Sequence, residues 1–544
     1  MTHQDIEMTK RVNRIILIFF LIFSYLTLFN LANTYFWDDE AQVATIAKNY
    51  LAKGELTGWD GRNLFAYRNG AILDSQLRII NPPLDFLIAA LSFKIFGVST
   101  WSGRFPFAIA GLTSFWIFFL IIKLKNPQKP LVWLYSLGIF SFSVQIILYF
   151  RQCRYYALTL LFSLLIFLAY EKLIRTRKLS YMFSMALAMT ALFYSHYLTG
   201  VAFFCTMLIC HLFIHYRSLP RETNIKFFFA FLITLAMTIP YAIHYSIWIR
   251  PDMSIPDAPL LGRLLLLKAN LREINLINIY PLGLFIILLA LVAISKTREI
   301  RQPLGHFFLL SIGYVLIISL LTPQSPEFSS MADIRYLIPI FPFLIAINGC
   351  LLAYLHQRSI VIGLLAFILL IISNIFSLHP YNRDFRWLLP AYIHEINNDY
   401  PTCYSMATDF LKKHASRDEY IFAYPNSRNF PLMFYLGDRL KVCCLLNKET
   451  ILPREQINNL DSPLYIEDNQ PDYFISFGFD NNSSTLIDLF AKASKHQYKL
   501  VQILDVFSFD TSRPELFWHT FGPIENIDTR KDGVYIFRQI RPRR

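Results

Sequence analysis

Apolar and polar residues alternate along the chain in blocks that predict a long membrane part followed by a polar C-terminal part. A spanning helix needs about 20 apolar residues, and the apolar runs predict eleven spans. They are 15–34, 105–122, 131–150, 155–170, 181–196, 201–215, 227–247, 279–294, 305–322, 335–354 and 359–378. The first run lacks a small-residue cleavage site, so we interpret it as a retained helix and not as a cleaved signal.

Three further helices are predicted outside these spans. The segment "AQVATIAKNYLAKG" favours a helix that ends at Gly54. Residues 83–97 are apolar and helical in period but too short to span, and Lys94 falls in their middle. We interpret them as an interfacial helix on the outer membrane surface, and residues 259–274 have the same mixed character.

The C-terminal part alternates strand-like and helical runs, which is typical of a small α/β domain. The strand-like runs are "EYIFAY", "DYFISFG", "YKLVQIL" and "GVYIFRQI". The predicted fold is therefore a mostly α, polytopic membrane protein with a small extracytoplasmic α/β domain. We assign residues 1–379, including the first outer loop 35–104, to the membrane domain and residues 380–544 to the soluble domain.

Composition and charge agree with this division. The chain is 55% hydrophobic and only 16% charged, as expected for an integral membrane protein. Its net charge of +13 is explained by basic cytoplasmic loops, so no nucleic-acid partner is expected. Every second junction is basic, for example after the second span (Lys123, Lys125) and the fourth (Arg175, Arg177). This bias predicts a cytoplasmic N-terminus and a periplasmic C-terminal domain in a multi-pass inner-membrane protein.

Cysteine spacing gives no sign of a metal framework, because the seven cysteines form no CxxC pair and no His/Cys ligand pattern. We expect no metal and no cofactor. Cys403, Cys443 and Cys444 could form a disulfide if the C-terminal part is extracytoplasmic, or they could remain free thiols.

Three carboxylates follow the first span in "NTYFWDDEAQ". For Asp38 we favour a helix-capping role, and Asp39 and Glu40 would also favour the positive end of the helix dipole. Asp39 has a competing interpretation. Partial desolvation beside Phe36 and Trp37 would raise its pKa and make it a better proton acceptor for a hydroxyl group.

Membrane topology explains the arginines in the cytoplasmic loops, but it does not explain the outer ones. A guanidinium group binds phosphate through two parallel hydrogen bonds, which suits a lipid phosphate at headgroup level. The alternative is membrane anchoring by snorkelling. For Arg154 and Arg335 we favour phosphate binding, whereas for Arg78, Arg104 and Arg151 both interpretations stay open.

A lone histidine, His196, stands among tyrosines in "FYSHYLTG". In this setting the side chain most often makes interfacial hydrogen bonds. A role in positioning a substrate hydroxyl is the alternative.

The order of these segments resembles GT-C membrane glycosyltransferases. An outer acidic pair is followed by "NPPL", "FGVSTWSGRFPFAIAG", "RQCRYYAL", "YSHYL" and "RYLIPIFPF". The chain is most similar to the dolichyl-phosphate-mannose protein mannosyltransferase family and to bacterial relatives that place aminoarabinose on lipid A. The resemblance covers about residues 15–355 and is carried by the order and spacing of the segments.

The resemblance implies a membrane-embedded transferase that uses a polyprenyl-phosphate-linked sugar as donor and acts at the outer face. It implies that Asp39 and Glu40 form the catalytic acidic pair, with Asp39 as the base. It further implies donor-phosphate contacts at two Arg-Tyr pairs and a substrate-binding His-Tyr pair. These are Arg154 with Tyr155, Arg335 with Tyr336, and His196 with Tyr197.

The chain departs from the family pattern at two places. Gln152 stands where many relatives have an acidic residue, which makes a divalent metal site less expected. Ile80 and Asn81 stand where some relatives have Glu-Lys before two prolines, which leaves acceptor recognition open. Asn81 and Arg78 remain candidate substrate-binding residues.

The predicted function is transfer of a hexosyl or pentosyl group to an acceptor hydroxyl of a lipid, polysaccharide or protein, with inversion at the anomeric carbon. Membrane lipid, the lipid-linked donor and the hydroxyl acceptor are the expected partners. A transporter or flippase of lipid-linked sugars, a surface-polysaccharide polymerase or ligase, and a non-catalytic relative are the alternatives. Transporters place ionisable residues near the bilayer midplane, often between repeats, whereas here the notable charges lie at one face and no repeat is seen.

Overall fold

Two compact units make up the structure, and each draws on separate parts of the chain. One contains residues 1–29, 107–394 and 514–517, and the other contains residues 30–106, 395–513 and 518–544. We call them the membrane unit and the second unit. The second unit therefore groups the whole segment 35–104, assigned above to the membrane domain, with C-terminal residues.

The structure is a computed structural model that describes residues 3–247, 260–276, 298–322, 334–375, 385–460, 464–506, 513–515, 519–521 and 533–540. The predicted span 279–294 lies outside the described residues.

The described residues are mostly helical. The first helices are α1 (His3–Leu28), α2 (Asp38–Lys53), α3 (Leu84–Phe96), α4 (Thr100–Lys125), α5 (Pro130–Phe142), α6 (Val144–Phe150), α7 (Tyr156–Thr176), α8 (Leu179–Ser195), α9 (Tyr197–Cys210), α10 (Arg221–His244) and α11 (Leu260–Leu276). They are followed by α12 (Arg298–Leu321), α13 (Phe341–Arg358), α14 (Ile360–Ile372), α15 (Leu388–Ile396), α16 (Cys403–His414), α17 (Asn429–Leu436), α18 (Arg454–Asn458) and α19 (Asn481–Ser494). The strands are β1 (Tyr420–Tyr424), β2 (Lys441–Val442), β3 (Tyr473–Phe477), β4 (Gln497–Leu504) and β5 (Val534–Ile540).

Within the described ranges, seven helical segments are long and apolar enough to cross a membrane. An eighth arises if α5 and α6 are taken as one broken span, because they meet at Ser143 with a bend of 59°. The prediction of one continuous helix over 131–150 is therefore wrong. Ser143 has an extended backbone (φ −70°, ψ 101°), and the apolar pattern on either side carries no signal of that break. Helices α8 and α14 are apolar but shorter, at 17 and 13 residues.

A buried polar contact joins three helices of the membrane unit. Nζ of Lys125 on α4 lies 2.5 Å from Oε1 of Glu171 on α7 and 3.0 Å from Nδ1 of His306 on α12. The Lys125 side chain is 12% exposed and the Glu171 side chain 4%. Each charge offsets the cost of burying the other. The contact therefore holds α4, α7 and α12 together near Lys125.

Helices α5 and α13 approach closely because Gly349 lacks a side chain. A Cβ atom at this position would lie 2.0 Å from Oγ of Ser136 and 2.9 Å from its backbone nitrogen. Both residues lie in the membrane unit, where small residues allow two helix backbones to meet.

The second unit is built on a five-stranded sheet with the order β2-β1-β3-β5-β4. Strand β1 is parallel to β2 and β3, whereas β5 is antiparallel to β3 and β4. Phe422, Phe474 and Phe490 pack in its core. The predicted α/β region is thus confirmed, and the four predicted strand runs correspond to β1, β3, β4 and β5.

Residues that precede α3 extend this unit beside β2. The backbone N–H of Val442 donates to Oδ1 of Asn63 (2.8 Å), and that of Cys444 donates to the carbonyl of Leu64 (2.9 Å). Cys403, Cys443 and Cys444 are buried free thiols. These contacts connect the two separate parts of the chain within one core.

Helices α2 and α3 begin and end at residues with special backbone geometry. Gly54 ends α2 in the left-handed region (φ 78°), which a residue without Cβ adopts at little cost. Helix α3 follows Pro83 and ends at Gly97 (φ 80°), as predicted from the sequence. Asp38 is already the first residue of α2, and Trp37 occupies the cap position without a side-chain bond. The predicted capping role of Asp38 is therefore wrong.

We expect Gly349→Ala to destabilise the membrane unit. The added methyl group would overlap Ser136, and overpacking of a tight contact typically costs about 1–3 kcal/mol. Thermal unfolding of the detergent-purified protein measures the effect as a lower Tm.

Gly305→Ala is the matched control, because no atom lies within 4 Å of the Cβ that it adds on α12. This change should leave Tm unchanged or raise it slightly, since Ala is the better helix former. Equal Tm values for the two variants would contradict the close approach of α5 and α13.

Candidate functional site

The first turn of α2 carries three consecutive carboxylates, which we call the acidic turn: Asp38, Asp39 and Glu40. Glu40 is fully buried and forms a two-pronged ion pair with Arg104. Nε of Arg104 donates to Oε1 of Glu40 (2.8 Å), and Nη2 donates to Oε2 (2.6 Å). With both carboxylate oxygens engaged, Glu40 fixes the position of the acidic turn.

Arg104 also binds the chain that leads into α2. Its Nη1 donates to the carbonyl oxygens of Leu31 and Thr34, both at 3.0 Å, and its Nη2 to that of Tyr35 at 3.3 Å. The Arg104 side chain is 3% exposed, so these bonds are made away from water. Arg104 therefore has a structural role, and neither phosphate binding nor snorkelling accounts for it.

A buried tyrosine, Tyr435, also binds the segment that leads into α2. The hydroxyl of Tyr435 on α17 accepts from the backbone N–H of Phe36 (2.9 Å) and shares a hydrogen bond with Thr100 (2.7 Å). Burial raises the pKa of the Tyr435 phenol, so the group stays neutral and keeps its proton for this bond.

Asp38 is bound by two residues from the C-terminal part of the chain. The hydroxyl of Tyr404 on α16 donates to Oδ1 of Asp38, and Nη1 of Arg428 lies 3.3 Å from the same oxygen. The Arg428 guanidinium also lies over the rings of Tyr404 and Phe477, at 5.7 Å from each centroid. Sequence reasoning found neither Tyr404 nor Arg428, because they lie more than 360 residues from Asp38.

Asp39 is half-buried between these two anchored carboxylates. Its neighbours Asp38 and Glu40 are each fixed by an arginine, so the backbone on both sides of Asp39 is fixed. Trp37, one residue before the acidic turn, packs under the Arg513 guanidinium at 5.3 Å. These contacts fix the backbone of the turn that carries Asp39.

Four predicted residues of the membrane unit form a chain of ring contacts. The Arg154 guanidinium lies 5.4 Å from the ring centroid of Tyr155, which stacks on His196 at 4.4 Å. The His196 ring lies 5.4 Å from that of Tyr336. The structure thus brings together three sequence segments that are far apart along the chain. With Arg335, discussed next, we call these residues the arginine cluster.

Arg335 lies one residue before Tyr336, and its side chain also belongs to this cluster. Its Nη1 donates to the hydroxyl of Tyr156 (3.5 Å), and its Nε lies 3.6 Å from Oε1 of Glu515. The side chains of Arg154 and Arg335 both lie near the buried Tyr155 ring. Sequence reasoning missed Glu515, which lies in the C-terminal part.

His196 caps helix α9. Its Nδ1 accepts from the backbone N–H of Thr199 (3.2 Å) and lies 2.8 Å from the Thr199 hydroxyl. These contacts hold the imidazole ring in place beside Tyr155 and Tyr336.

The remaining arginine and asparagine candidates have separate positions. Arg151 is buried and donates to the carbonyls of Thr27 (3.1 Å) and Phe29 (2.7 Å), so it caps the end of α1. Arg78 pairs with the exposed Glu55 at 3.5 Å. Asn81 is half-buried just before the two prolines that lead into α3.

Comparisons with known proteins support the fold. The sequence model of the dolichyl-phosphate-mannose-protein mannosyltransferase family matches residues 81–244. Among curated proteins, no sequence match was found. The predicted resemblance is confirmed over the residues that this model matches, and the chain shares the fold of two solved structures.

Both solved structures are of ArnT from Cupriavidus metallidurans. The apo form has a TM-score of 0.56 and 13% identity, covering 89% of this chain and 96% of that chain. The form bound to undecaprenyl phosphate has a TM-score of 0.51 and 13% identity, covering 96% and 97%. At this level of identity the likeness establishes the fold.

We expect Glu40→Gln to lower the free energy of unfolding by about 3–5 kcal/mol, because it leaves a buried guanidinium without its counter-charge. Thermal or denaturant unfolding of the purified protein measures this loss.

Glu55→Gln serves as the control in the same unit, because the Glu55 and Arg78 side chains are 53% and 39% exposed. An exposed pair contributes about 0–1 kcal/mol. Similar losses for the two variants would argue against an anchoring role for Glu40.

Proposed function

We propose that this protein is an integral membrane glycosyltransferase that moves a sugar from a polyprenyl-phosphate-linked donor to an acceptor hydroxyl. The observation that carries the proposal is the arginine cluster, in which two guanidinium groups, a histidine and two tyrosines from distant segments meet. The reaction takes place at the outer face of the inner membrane. The N-terminus is cytoplasmic and the C-terminal residues are periplasmic, in line with the basic alternate junctions.

The arginine cluster suits a lipid-linked phosphate. A guanidinium group binds two phosphate oxygens at once through parallel hydrogen bonds. Tyr155 and Tyr336 supply aromatic surface beside these polar groups. The likeness of the fold to ArnT in its complex with undecaprenyl phosphate supports a ligand of this class.

Asp39 is the proposed general base. A carboxylate can accept a hydroxyl proton only if it is held at a defined position relative to the acceptor. The contacts of Arg104 with Glu40, and of Tyr404 and Arg428 with Asp38, provide such fixation on both sides of Asp39. Glu40 and Asp38 are then positioning residues for Asp39.

Transfer proceeds as a single displacement. The acceptor oxygen attacks C1 of the sugar, and the bond between C1 and the phosphate oxygen breaks. The hydroxyl proton passes to the Asp39 carboxylate, and the electron pair of the broken bond leaves with the polyprenyl phosphate. Attack from the side opposite to the leaving group inverts the anomeric carbon. The transferred group is a hexosyl or pentosyl unit, and the acceptor is a lipid, polysaccharide or protein hydroxyl.

Charge develops on the phosphate during this step. The donor phosphodiester carries one negative charge, and the released monoester carries up to two. Arg154 and Arg335 are held in place before the reaction, so they stabilise this increase without a cost of reorganisation. Catalysis in this proposal is therefore mainly proton transfer at Asp39 and electrostatic stabilisation at the cluster.

Asp39→Asn should abolish transfer of a labelled sugar from a polyprenyl-phosphate donor by the purified, reconstituted protein. Loss of a general base typically lowers the rate by about 10²–10⁴-fold. Donor affinity should stay near that of the wild type, since Asp39 acts on the acceptor.

Asp488→Asn is the control, because Asp488 is an exposed carboxylate on α19 of the same unit. Transfer by Asp39→Asn at the wild-type rate would exclude Asp39 as the base. Movement of intact lipid-linked sugar across the bilayer, without transfer to any acceptor, would favour a flippase instead.

Arg335→Lys keeps the positive charge but removes the planar fork. We expect the Kd for a polyprenyl-phosphate donor to rise about tenfold, because charged hydrogen bonds contribute about 1.5–3 kcal/mol. Binding to nanodisc-embedded protein measures the change.

Arg358→Lys is the matched control on α13, at an exposed position. An unchanged donor Kd for Arg335→Lys would argue against two-pronged phosphate binding by Arg335.

A further inference from the structure

A buried carboxylate from the C-terminal part of the chain lies within the membrane unit beside Arg335. The segment is held by the amide of Gln145, whose Nε2 donates to the carbonyl of Pro514 at 2.7 Å. One residue later, Oε1 of Glu515 lies 3.6 Å from Nε of Arg335. The Glu515 side chain is 8% exposed and Gln145 is buried. Two separate contacts therefore fix this carboxylate at the arginine cluster.

Glu515 changes the charge that the cluster presents to a phosphate. Arg154 and Arg335 are cationic, and the Glu515 carboxylate lies beside Arg335. Glu515 therefore lowers by one the positive charge that the arginines present to a bound phosphate. Glu515 does not merely weaken anion binding, because its effect depends on how many charges the bound phosphate carries.

Donor and product differ in the number of negative charges on their phosphate group. The donor phosphodiester carries one negative charge, whereas the product monoester carries up to two at neutral pH. Glu515 therefore repels the product more strongly than the donor. Without Glu515, the arginines would retain the product more tightly.

We propose that Glu515 is a specificity-determining residue that makes the arginine cluster prefer the monoanionic donor over the dianionic product and so promotes product release. This inference rests on the proposed function. It assigns a role in the reaction cycle to a residue that comes from beyond the membrane-spanning segments.

The first test compares two probes on Glu515→Gln in nanodiscs: a polyprenyl phosphate and its phosphate methyl ester, which keeps a single charge. A like charge within about 4–6 Å changes an equilibrium by roughly one pKa unit or more, which is tenfold. We expect both probes to bind more tightly to the variant. The gain should be about tenfold larger for the monoester, because it has one more charge to be repelled.

The second test separates chemistry from release. In a single turnover, Glu515→Gln should transfer sugar at least as fast as the wild type, because the leaving phosphate meets more positive charge. In multiple turnovers it should show a rapid first turnover followed by a slow steady rate, and stronger inhibition by added polyprenyl phosphate. A purely structural role of Glu515 would lower both rates together.

Two further variants complete the design. Glu515→Asp retains the charge and should discriminate between the probes as the wild type does. Glu455→Gln changes an exposed carboxylate on α18 and should alter neither binding nor turnover. An equal gain for both probes in Glu515→Gln, or no gain, would overturn the inference. If the wild type binds neither probe and transfers no sugar, the proposed function itself fails.

Discussion

The contact between Arg104 and Glu40 is the interaction on which the candidate site depends. One guanidinium group joins a carboxylate of α2 to three carbonyls of the segment before it, all away from water. A buried pair of this kind adds little net stability compared with apolar packing, but it allows only one arrangement. The main effect of this ion pair is therefore to fix the geometry of the acidic turn. It fixes the direction in which the acidic turn presents Asp39.

The sequence predicts the local features of this structure well. Gly54 ends α2, and the β1, β3, β4 and β5 strands follow their apolar runs, because these patterns arise from contacts between near neighbours. The break at Ser143 was missed, since a single extended residue leaves the apolar pattern unchanged. The partners of Asp38 and Arg335 were also missed. Tyr404, Arg428 and Glu515 come from distant segments, and a single sequence carries no record of such pairings.

The contacts that were not predicted from the sequence also show that the C-terminal part of the chain contributes residues to both units. Within the second unit, Tyr404 and Arg428 orient Asp38, and Asn63 and Leu64 continue the packing beside β2. Within the membrane unit, Pro514 and Glu515 are held by Gln145 and Arg335. The residues that position the acidic turn and adjust the charge of the arginine cluster are thus supplied after the last membrane segment. The contacts of the acidic turn therefore form only after residue 428 has been synthesised, and those of the arginine cluster only after residue 515.

The contact of Lys125 with Glu171 and His306 has a consequence for biogenesis. A buried ammonium group without a counter-ion is destabilising, and Lys125 emerges from the ribosome before its counter-ion on α7 exists. Helix α4 therefore gains its full stability only when α7 is inserted, and the trio closes only when α12 arrives. Helices with such delayed partners are expected to remain near the translocon or an insertion chaperone. The order in which these helices are translated therefore affects how the protein assembles.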